Sequence, residues 1–197
     1  MTEAVIVDSG GANLASLRYA LERLGARTQV SNDARTIARA ARVVLPGVGA
    51  AAHAMQRLHA AGLTSVLRAL TQPVLGVCLG MQLLFAVSEE GLTECLGVLP
   101  YAVRRLRSAP LRPVPHMGWN QLCQLRPDPL LEGVPDGAYA YFVHSYAAPL
   151  TQHTLASTEY GAALSAVVRH ENFWGTQFHP ERSATTGARV LANFLRL

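Results

Sequence analysis

The residue best suited to chemistry is a cysteine, Cys78, in the stretch Gly76-Val77-Cys78-Leu79-Gly80. The stretch follows an apolar run and precedes a predicted helix, and glycines stand two residues before and two after the cysteine. This spacing is typical of a nucleophile elbow, where a strand turns sharply into a helix and small residues let the two pass closely. The free amides at a helix N-terminus also favour a thiolate. The sequence therefore indicates a cysteine nucleophile; the alternative is a small buried apolar side chain.

A base and a group to orient it occur near the C-terminus, in Phe178-His179-Pro180-Glu181. Residues 173–178 are predicted to form a strand that delivers His179 at its end, and Pro180 disfavours helix at His179. In an extended segment, residues two apart face the same way, so His179 and Glu181 are predicted to project together. The carboxylate would then hold the imidazole in one tautomer. The alternative is a surface loop in which His179 only ends a strand.

An oxyanion hole is also available. Elbow enzymes use the amide just after the nucleophile, here that of Leu79, and a second amide from a neighbouring loop at a strand end. The segment LPGVG at residues 45–49 ends the preceding predicted strand. Its two glycines, Gly47 and Gly49, are free to aim an amide, although an ordinary turn is an equally good interpretation.

Composition argues against several other kinds of chemistry. All 17 cationic residues are arginines, and without lysine there is no Walker A loop, no pyridoxal phosphate Schiff base and no Ser-Lys dyad. No carboxylate pair or histidine spacing suggests a metal, so neither a metal site nor a cofactor is expected. The net charge of +4 is spread along the chain. Its densest cluster, at residues 104–107, has no aromatic residue to stack on bases, so nucleic-acid binding is not expected.

Length and the N-terminal pattern bear on domain number and location. The 197 residues, half of them apolar, are predicted to form a single domain over residues 1–197. The first apolar run is only four residues long and lies between Glu3 and Asp8, which does not fit a signal peptide. No apolar stretch is long enough to cross a bilayer. We therefore expect a cytoplasmic protein, with no membrane association, whose cysteines are reduced.

Alternating strands and helices are predicted to position these residues. Strands are predicted at residues 4–7, 43–45, 74–77, 139–143, 163–169 and 173–178; helices are predicted at 14–24, from 33 onward, at 50–70 and at 186–197. Asn13 and Asp33 are predicted helix N-caps, and Gly25 a C-terminal cap. The pattern predicts an α/β fold, with an open, mostly parallel sheet, helices on both faces and antiparallel strands in the C-terminal half.

Three motifs together resemble a known family, the class I (triad) glutamine amidotransferases. They are PGVG at residues 46–49, GVCLGMQ at 76–82 and FHPE at 178–181, and the resemblance covers essentially the whole chain. Within the class, VPHMGWN at 114–120 and YFVHSY at 141–146 are similar to the glutaminase subunits (HisH) of imidazole glycerol phosphate synthase. The resemblance implies a flavodoxin-like fold and hydrolysis of L-glutamine through a glutamyl thioester. It also implies a heterodimer, in which ammonia passes to a cyclase (βα)8-barrel subunit that forms imidazole glycerol phosphate and AICAR in histidine biosynthesis.

The same resemblance implies roles for individual residues. The triad would be Cys78, His179 and Glu181, and the amides of Val48 and Leu79 would form the oxyanion hole. Glutamine would be bound by Gly47, Gly49, Gln82, Glu90, His144, Ser145 and Tyr146. The cyclase partner would be faced by Asn13, His116, Met117, Trp119, Asn120, Tyr141 and Arg182. The chain departs from the family pattern at the first turn, which lacks a tyrosine, a glycine and an arginine, and at Arg182, where lysine is frequent.

Three other functions remain open on the sequence. A glutaminase subunit of another synthetase, such as pyridoxal phosphate synthase, would keep the triad but should lack VPHMGWN. A cysteine hydrolase that acts alone would need no partner. A regulatory module of the same fold would normally have lost a triad residue, and all three are present.

Overall fold

Strands and helices alternate in the first half of the chain, and strands predominate in the second, in a computed structural model that describes residues 3–8, 14–123 and 126–197. The helices are α1 (Leu14–Arg23), α2 (Ala34–Arg39), α3 (Ala51–Ala60), α4 (Leu63–Arg68), α5 (Leu79–Leu83) and α6 (Ala184–Phe194). The strands are β1 (Glu3–Val7), β2 (Arg27–Ser31), β3 (Val43–Gly47), β4 (Val74–Cys78), β5 (Phe85–Ser88), β6 (Thr93–Glu94), β7 (Leu99–Arg105), β8 (His116–Gln121), β9 (Tyr139–His144), β10 (Tyr146–Ala147), β11 (Thr154–Glu159), β12 (Ala163–His170) and β13 (Phe173–Thr176). Short 3₁₀ turns lie at Glu90–Leu92, Pro129–Leu131 and Pro180–Arg182. None of the described helices is long and apolar enough to cross a membrane.

The main sheet joins seven of these strands in the order β11-β12-β13-β4-β3-β1-β2. The strands from β13 to β2 are parallel to one another, whereas β12 pairs antiparallel with β11 and β13. This confirms the predicted α/β fold. β4 lies between β3 and β13, so that Gly47 pairs with Cys78 and Val77 pairs with Thr176. The carboxyl ends of three neighbouring strands therefore meet at one edge, where open α/β sheets place their ligand sites.

Both faces of the main sheet are covered, as predicted. Ile6 of β1 contributes to one core with Leu17 of α1, while the preceding residue, Val5, contributes to the other core with Leu58 of α3. Burial of one such side chain stabilises the fold by about 1.5–3 kcal/mol. Because the central strands are buried on both faces, they appear in the sequence as continuous apolar runs.

Local signals set several helix ends. The Asp33 carboxylate accepts a hydrogen bond from the Thr36 amide at 2.7 Å, which confirms the predicted N-cap of α2. Gly25 follows α1 with a φ of 84°, the left-handed conformation that glycine adopts readily after a helix. The predicted cap at Asn13 lies outside the described residues.

Several elements of the structure differ from the sequence predictions. The helix predicted over residues 50–70 is divided into α3 and α4, because Gly62 takes a φ of 67° between them. The strand predicted over residues 173–178 ends at Thr176. The edge strand β2 was not predicted, because its side chains are mostly exposed and it carries no apolar run.

A two-stranded antiparallel ribbon, formed by β8 and β9, lies outside the main sheet. His116 pairs with His144, and Trp119 pairs with Tyr141. A further sheet has the order β10-β7-β5-β6. The ribbon and this sheet carry His144 and Tyr146, which are predicted to bind glutamine, and residues within 116–120, together with Tyr141, which are predicted to face a partner.

Candidate active site

Cys78 lies at the turn between β4 and α5. Its backbone has φ 52° and ψ −109°, a conformation that residues with a Cβ rarely adopt. A Cβ at Gly80 would overlap the carbonyl oxygen of Leu45, and one at Gly76 would lie 2.7 Å from the Gly80 oxygen. Both glycines are therefore required for the close approach of strand and helix. The predicted sharp turn is present, with the thiol at its tip.

His179 lies three residues beyond β13 and is fixed by its backbone. Its amide donates to the Tyr141 carbonyl at 2.9 Å, and its carbonyl accepts from Ser183 Oγ at 2.7 Å. Its Nδ1 lies 2.9 Å from Glu181 Oε1, which leaves Nε2 for the interaction with Cys78. The predicted contact with Glu181 is present, but its predicted basis is wrong. Pro180–Arg182 forms a 3₁₀ turn rather than an extended segment, and this turn brings the carboxylate back to the ring.

The charge of His179 is set by its neighbours. Burial lowers the pKa of the imidazole, but Cys78 and Glu181 raise that pKa by more, to well above its ordinary value. The Glu181 side chain is 1% exposed, so water screens its attraction for the imidazole little. An imidazolium is therefore stabilised beside the Cys78 sulfur, an arrangement that favours a thiolate nucleophile.

A cavity of about 300 Å³ opens beside Cys78 and His179 at the carboxyl edge of the sheet. Its size suits a small metabolite. The residues predicted for the oxyanion hole and for glutamine binding that line it are Val48, Gly49, Leu79, Gln82, Glu90, His144, Ser145 and Tyr146. Pro115 and Val143 complete the lining and were not predicted. Gly47 and Glu181 line a smaller neighbouring cavity, which His179 shares.

The loop after β3 forms one wall of the cavity. A Cβ at Gly47 would lie 2.9 Å from the Gly80 amide nitrogen, and Gly49 has a φ of 89°, so both positions favour glycine. Glu90 Oε2 accepts a hydrogen bond from the Ala51 amide at 2.7 Å, at the first residue of α3. Glu90 thus lines the cavity and also caps the helix that follows the loop.

The carbonyl of Tyr146 accepts two hydrogen bonds at the opposite wall. One comes from Gln82 Nε2 at 2.7 Å and the other from His144 Nδ1 at 2.8 Å. Gln82 Nε2 also donates to Gln177 Oε1 at 2.9 Å. Both amide hydrogens of Gln82 are therefore used, and its Oε1 is the atom that can face a ligand. Gln177 Nε2 in turn lies 3.8 Å from Cys78 Sγ.

Gln177 was not predicted from the sequence. The available signal was a polar side chain inside the otherwise apolar run at residues 173–178. A fully buried glutamine needs hydrogen-bond partners, and the structure supplies them from Gln82 and Cys78.

Two buried histidines form the end of the ribbon next to the cavity. His116 Nδ1 is 3.0 Å from His144 Nε2, and Asn120 Nδ2 is 3.3 Å from His116 Nε2. A carbonyl only accepts, so His144 carries its proton on Nδ1, which donates to Tyr146. His116 then donates from Nδ1 to His144, and Asn120 donates to His116. Burial lowers the pKa of both imidazoles to about 4, so both are neutral near pH 7.

The burial of His116 corrects one sequence expectation. This side chain was expected to face a partner, but it is 3% exposed. Side chains alternate along a strand, so His116 points inward while its neighbour Met117 points outward. Asn120 is half-buried on the inner side of β8, where it also donates to the Glu159 carbonyl at 2.9 Å.

Three other residues expected at the partner surface are exposed. Met117 and Trp119 are 63% and 53% exposed on the outer face of the ribbon, and Arg182 is exposed close to His179 in the chain. The Trp119 ring packs edge-on against Tyr141, with ring centroids 5.9 Å apart. Asn13, also expected at this surface, lies outside the described residues.

The family follows from comparison with known proteins. The sequence profile of the family described as "Glutamine amidotransferase class-I" matches residues 5–197. The chain is a class I glutamine amidotransferase. This confirms the family resemblance carried by the PGVG, GVCLGMQ and FHPE motifs, and it confirms that the chain is an enzyme.

Relatives of this amidotransferase share one name. The "Imidazole glycerol phosphate synthase subunit HisH" of Xylella fastidiosa (strain Temecula1) is 57% identical over 197 residues, which is 100% of this chain and 98% of that protein. The protein of the same name from Xanthomonas euvesicatoria pv. vesicatoria is 56% identical, with the same coverage. The predicted similarity of the amidotransferase to HisH is therefore confirmed.

A solved structure supports the fold of the amidotransferase. It is described as a putative GMP synthase protein from Thermoplasma acidophilum, and it superposes with a TM-score of 0.77 at 20% identity. The match covers 100% of this chain and 93% of that one.

Proposed function

We propose that this amidotransferase is the glutaminase subunit of an imidazole glycerol phosphate synthase and that it hydrolyses L-glutamine to glutamate and ammonia. The observation that carries the hydrolysis is the cluster of Cys78, His179 and Glu181 beside a cavity of about 300 Å³. The 57% identity with a protein named HisH supports the assignment to this synthase and to histidine biosynthesis.

The first half of the reaction forms a thioester. The Cys78 thiolate attacks the side-chain amide carbon of glutamine, and the carbonyl electrons move onto the oxygen. Protonated His179 gives the proton on Nε2 to the amide nitrogen, so that the C–N bond breaks and ammonia leaves. Glu181 keeps the ring in position and stabilises its charge before the transfer.

The second half returns the enzyme to its starting state. His179, now neutral at Nε2, takes a proton from a water molecule whose oxygen attacks the thioester carbon. The C–S bond breaks, glutamate leaves, and the Cys78 thiolate and the His179 imidazolium are restored. Each cycle consumes one glutamine and one water and yields one glutamate and one ammonia.

Two backbone amides are assigned to the developing oxyanion. Leu79 follows Cys78 directly at the start of α5, and Val48 lines the cavity from the loop after β3. Donors aimed at the oxygen act mainly on the transition state, and loss of one typically costs about 10²–10³-fold in rate.

The amino-acid end of glutamine is assigned to the rest of the lining. Glu90 offers a carboxylate to the ammonium group, and Gln82 offers its Oε1. The backbone of residues 144–146 forms the facing wall. Gly47 lets the loop backbone pack closely against the start of α5, and Gly49 takes a left-handed conformation at the cavity wall.

The ammonia requires a partner. In neutral water most ammonia is protonated and is no longer a nucleophile, so it needs a shielded passage to the second reaction. We assign the receiving role to a cyclase (βα)8 barrel, which docks on the exposed Met117 and Trp119 of the ribbon and on Arg182. Exposed aromatic and arginine side chains are typical interface anchors.

The proposal is tested by mixing the chain with a candidate cyclase barrel and following glutamate release with and without the cyclase ligand. We expect release to rise in the liganded complex. Cys78→Ala should abolish glutamine-dependent cyclisation but retain cyclisation with added ammonium salts, while Cys123→Ala should preserve both. Glutamine hydrolysis by the Cys78→Ala complex would exclude Cys78 as the nucleophile. Full-rate hydrolysis by the isolated chain would instead favour an enzyme that acts alone.

A further inference from the structure

We propose that Gln177 is a positioning residue for the nucleophile: its side-chain amide donates to the Cys78 sulfur and holds the thiolate at the wall where the substrate binds. The inference rests on the proposed function, in which Cys78 attacks glutamine. It adds a residue outside the triad and outside the proposed oxyanion hole.

The orientation of the Gln177 amide is fixed by its neighbours. Gln82 Nε2 lies 2.7 Å from the Tyr146 carbonyl, which only accepts, so the NH₂ group of Gln82 must face that way. The same NH₂ group reaches Gln177 Oε1 at 2.9 Å. The oxygen of Gln177 therefore faces Gln82, and its NH₂ group faces Cys78 Sγ at 3.8 Å.

Burial makes this contact rigid. Gln177 is 0% exposed and Gln82 is 4% exposed, and the Gln177 backbone amide donates to the Ala166 carbonyl at 2.8 Å. A buried amide without a partner is costly. The Gln177 side chain is therefore held between Gln82 and Cys78 rather than free to rotate.

The surroundings of the sulfur explain why a donor is needed there. Cys78 Sγ lies 3.6 Å from the Val143 carbonyl, which accepts a hydrogen bond from a neutral thiol but repels a thiolate. Once the proton has left, the Gln177 amide and the His179 imidazolium both stabilise the sulfur. Hydrogen bonds to a charged atom are about twice as strong as those between neutral groups, so Gln177 favours the ionised nucleophile.

The Gln177 side-chain amide also connects the Cys78 sulfur to the wall where the substrate is proposed to bind. Gln82 lines the cavity and contacts Gln177 directly, so a single side chain separates the proposed glutamine contact from the nucleophile. Removal of the Gln177 amide donor should therefore slow the attack on bound glutamine more than it weakens the binding of glutamine.

The test measures alkylation of Cys78 by iodoacetamide against pH on the full-length chain, resolved by peptide mass spectrometry to separate Cys95 and Cys123. Gln177→Met has similar length and no donor, whereas Gln177→Glu keeps an acceptor for Gln82 but loses the amide donor. We expect Cys78 to react about tenfold more slowly near pH 7 in both variants. The surface variant Gln56→Met should match the wild type. The ionisable groups His179, His144, Glu181 and Glu90 around the cavity are unchanged in these chains; Gln177→Glu adds a carboxyl beside the sulfur, so Gln177→Met is the variant that tests the lost donor alone.

A kinetic comparison in the complex separates positioning from binding. Gln177→Glu, which preserves the contact with Gln82, should lower kcat for glutamine about tenfold or more and leave KM within about threefold of the wild type. An unchanged alkylation profile in a folded Gln177→Met chain overturns the inference, as does a purely KM effect in Gln177→Glu.

If the Gln177 variants do not fold, the contact can be tested by NMR on the chain that retains Gln177. The Gln177 side-chain ¹⁵NH₂ resonance should shift when iodoacetamide alkylates Cys78, and this shift should be absent in Cys78→Ala. A resonance that does not respond overturns the inference. Because neither alkylation nor NMR needs glutamine or a partner, these results are independent of the hydrolysis test for Cys78.

Discussion

His116 donates a hydrogen bond from Nδ1 to Nε2 of His144 over 3.0 Å, with both rings buried. Asn120 donates to His116 from the side nearer the ribbon surface, and His144 donates to the Tyr146 carbonyl at the cavity wall. In each of these hydrogen bonds the donor lies on the Asn120 side and the acceptor on the Tyr146 side. This arrangement requires both imidazole rings to be neutral. The ribbon that presents Trp119 is therefore joined to the cavity wall at Tyr146 by a chain of hydrogen bonds that all run in the same direction.

The two rings should make the protein sensitive to acid. Their pKa is about 4 in the folded chain, against an ordinary value of 6.5. Their contribution to stability is thus fully present above pH 6.5 and is lost as the pH falls from 6.5 towards 4. Complete protonation costs on the order of 3 kcal/mol per ring. Between pH 7 and pH 5, His116→Gln, which keeps a donor for His144, should lose on the order of 2 kcal/mol less stability than the wild type.

Urea unfolding followed by circular dichroism at the two pH values measures this difference. The exposed His59→Gln serves as the control and should retain the wild-type dependence. Equal acid sensitivity in His116→Gln and the wild type would contradict the assignment of the effect to this pair.

The Glu181 carboxylate should matter through its charge. Glu181→Gln still offers an oxygen to His179 Nδ1, so the ring keeps its position, but the negative charge that raises the pKa of His179 is gone. We expect kcat for glutamine hydrolysis in the complex to fall by about 10²–10⁴-fold, as for other triads, with KM little changed. Glutamate release measures the effect, and the exposed Glu132→Gln is the matched control. A variant with near-normal kcat would show that Glu181 is not the orienting carboxylate.

Gly80 should be the least replaceable glycine of the elbow. In Gly80→Ala the new Cβ would overlap the Leu45 carbonyl, and a backbone atom of a buried strand cannot easily move away. We expect a loss of at least about 3 kcal/mol in the free energy of unfolding. Gly97→Ala, with a φ of 68° and open space around the new atom, should lose only about 1–2 kcal/mol. Similar urea midpoints for the two variants would contradict this account of the turn.

Trp119 should anchor the proposed partner. It is 53% exposed, so Trp119→Ala should change the stability of the isolated chain little but weaken binding of the cyclase barrel roughly 30-fold, as loss of an interface anchor does. Calorimetric titration of the barrel into the chain gives the affinity. Leu150→Ala, an exposed apolar residue outside the ribbon, should bind like the wild type. Unchanged affinity in Trp119→Ala would place the interface elsewhere.

The sequence predicted those parts of the site whose geometry depends on residues close together in the chain. The turn at Cys78 depends on glycines two positions away, and the contact between His179 and Glu181 spans two residues. The central strands β1, β3 and β4 were predictable for a similar reason, because each contains a continuous apolar run, whereas buried β11, with the sequence TLASTE, has no such run and was missed. Edge strand β2 lacks such a run and was missed.

The parts that were missed depend on contacts between distant segments. Gln177 meets Gln82 across 95 positions, and His116 meets His144 across 28. No local pattern distinguishes an inward-facing histidine from an exposed one in a short ribbon strand. Only the packing of β8 against β9 decides which face of the ribbon each side chain takes.

The two amides proposed to hold the oxyanion belong to residues that differ in burial. Leu79 is buried within the interior, whereas Val48 is half-buried and is followed by exposed Gly49 and Ala50. The Val48 residue therefore lies nearer the protein surface than Leu79 and Cys78 do. A change in the loop after β3 would alter the position of one proposed donor and leave Leu79 and Cys78 in place.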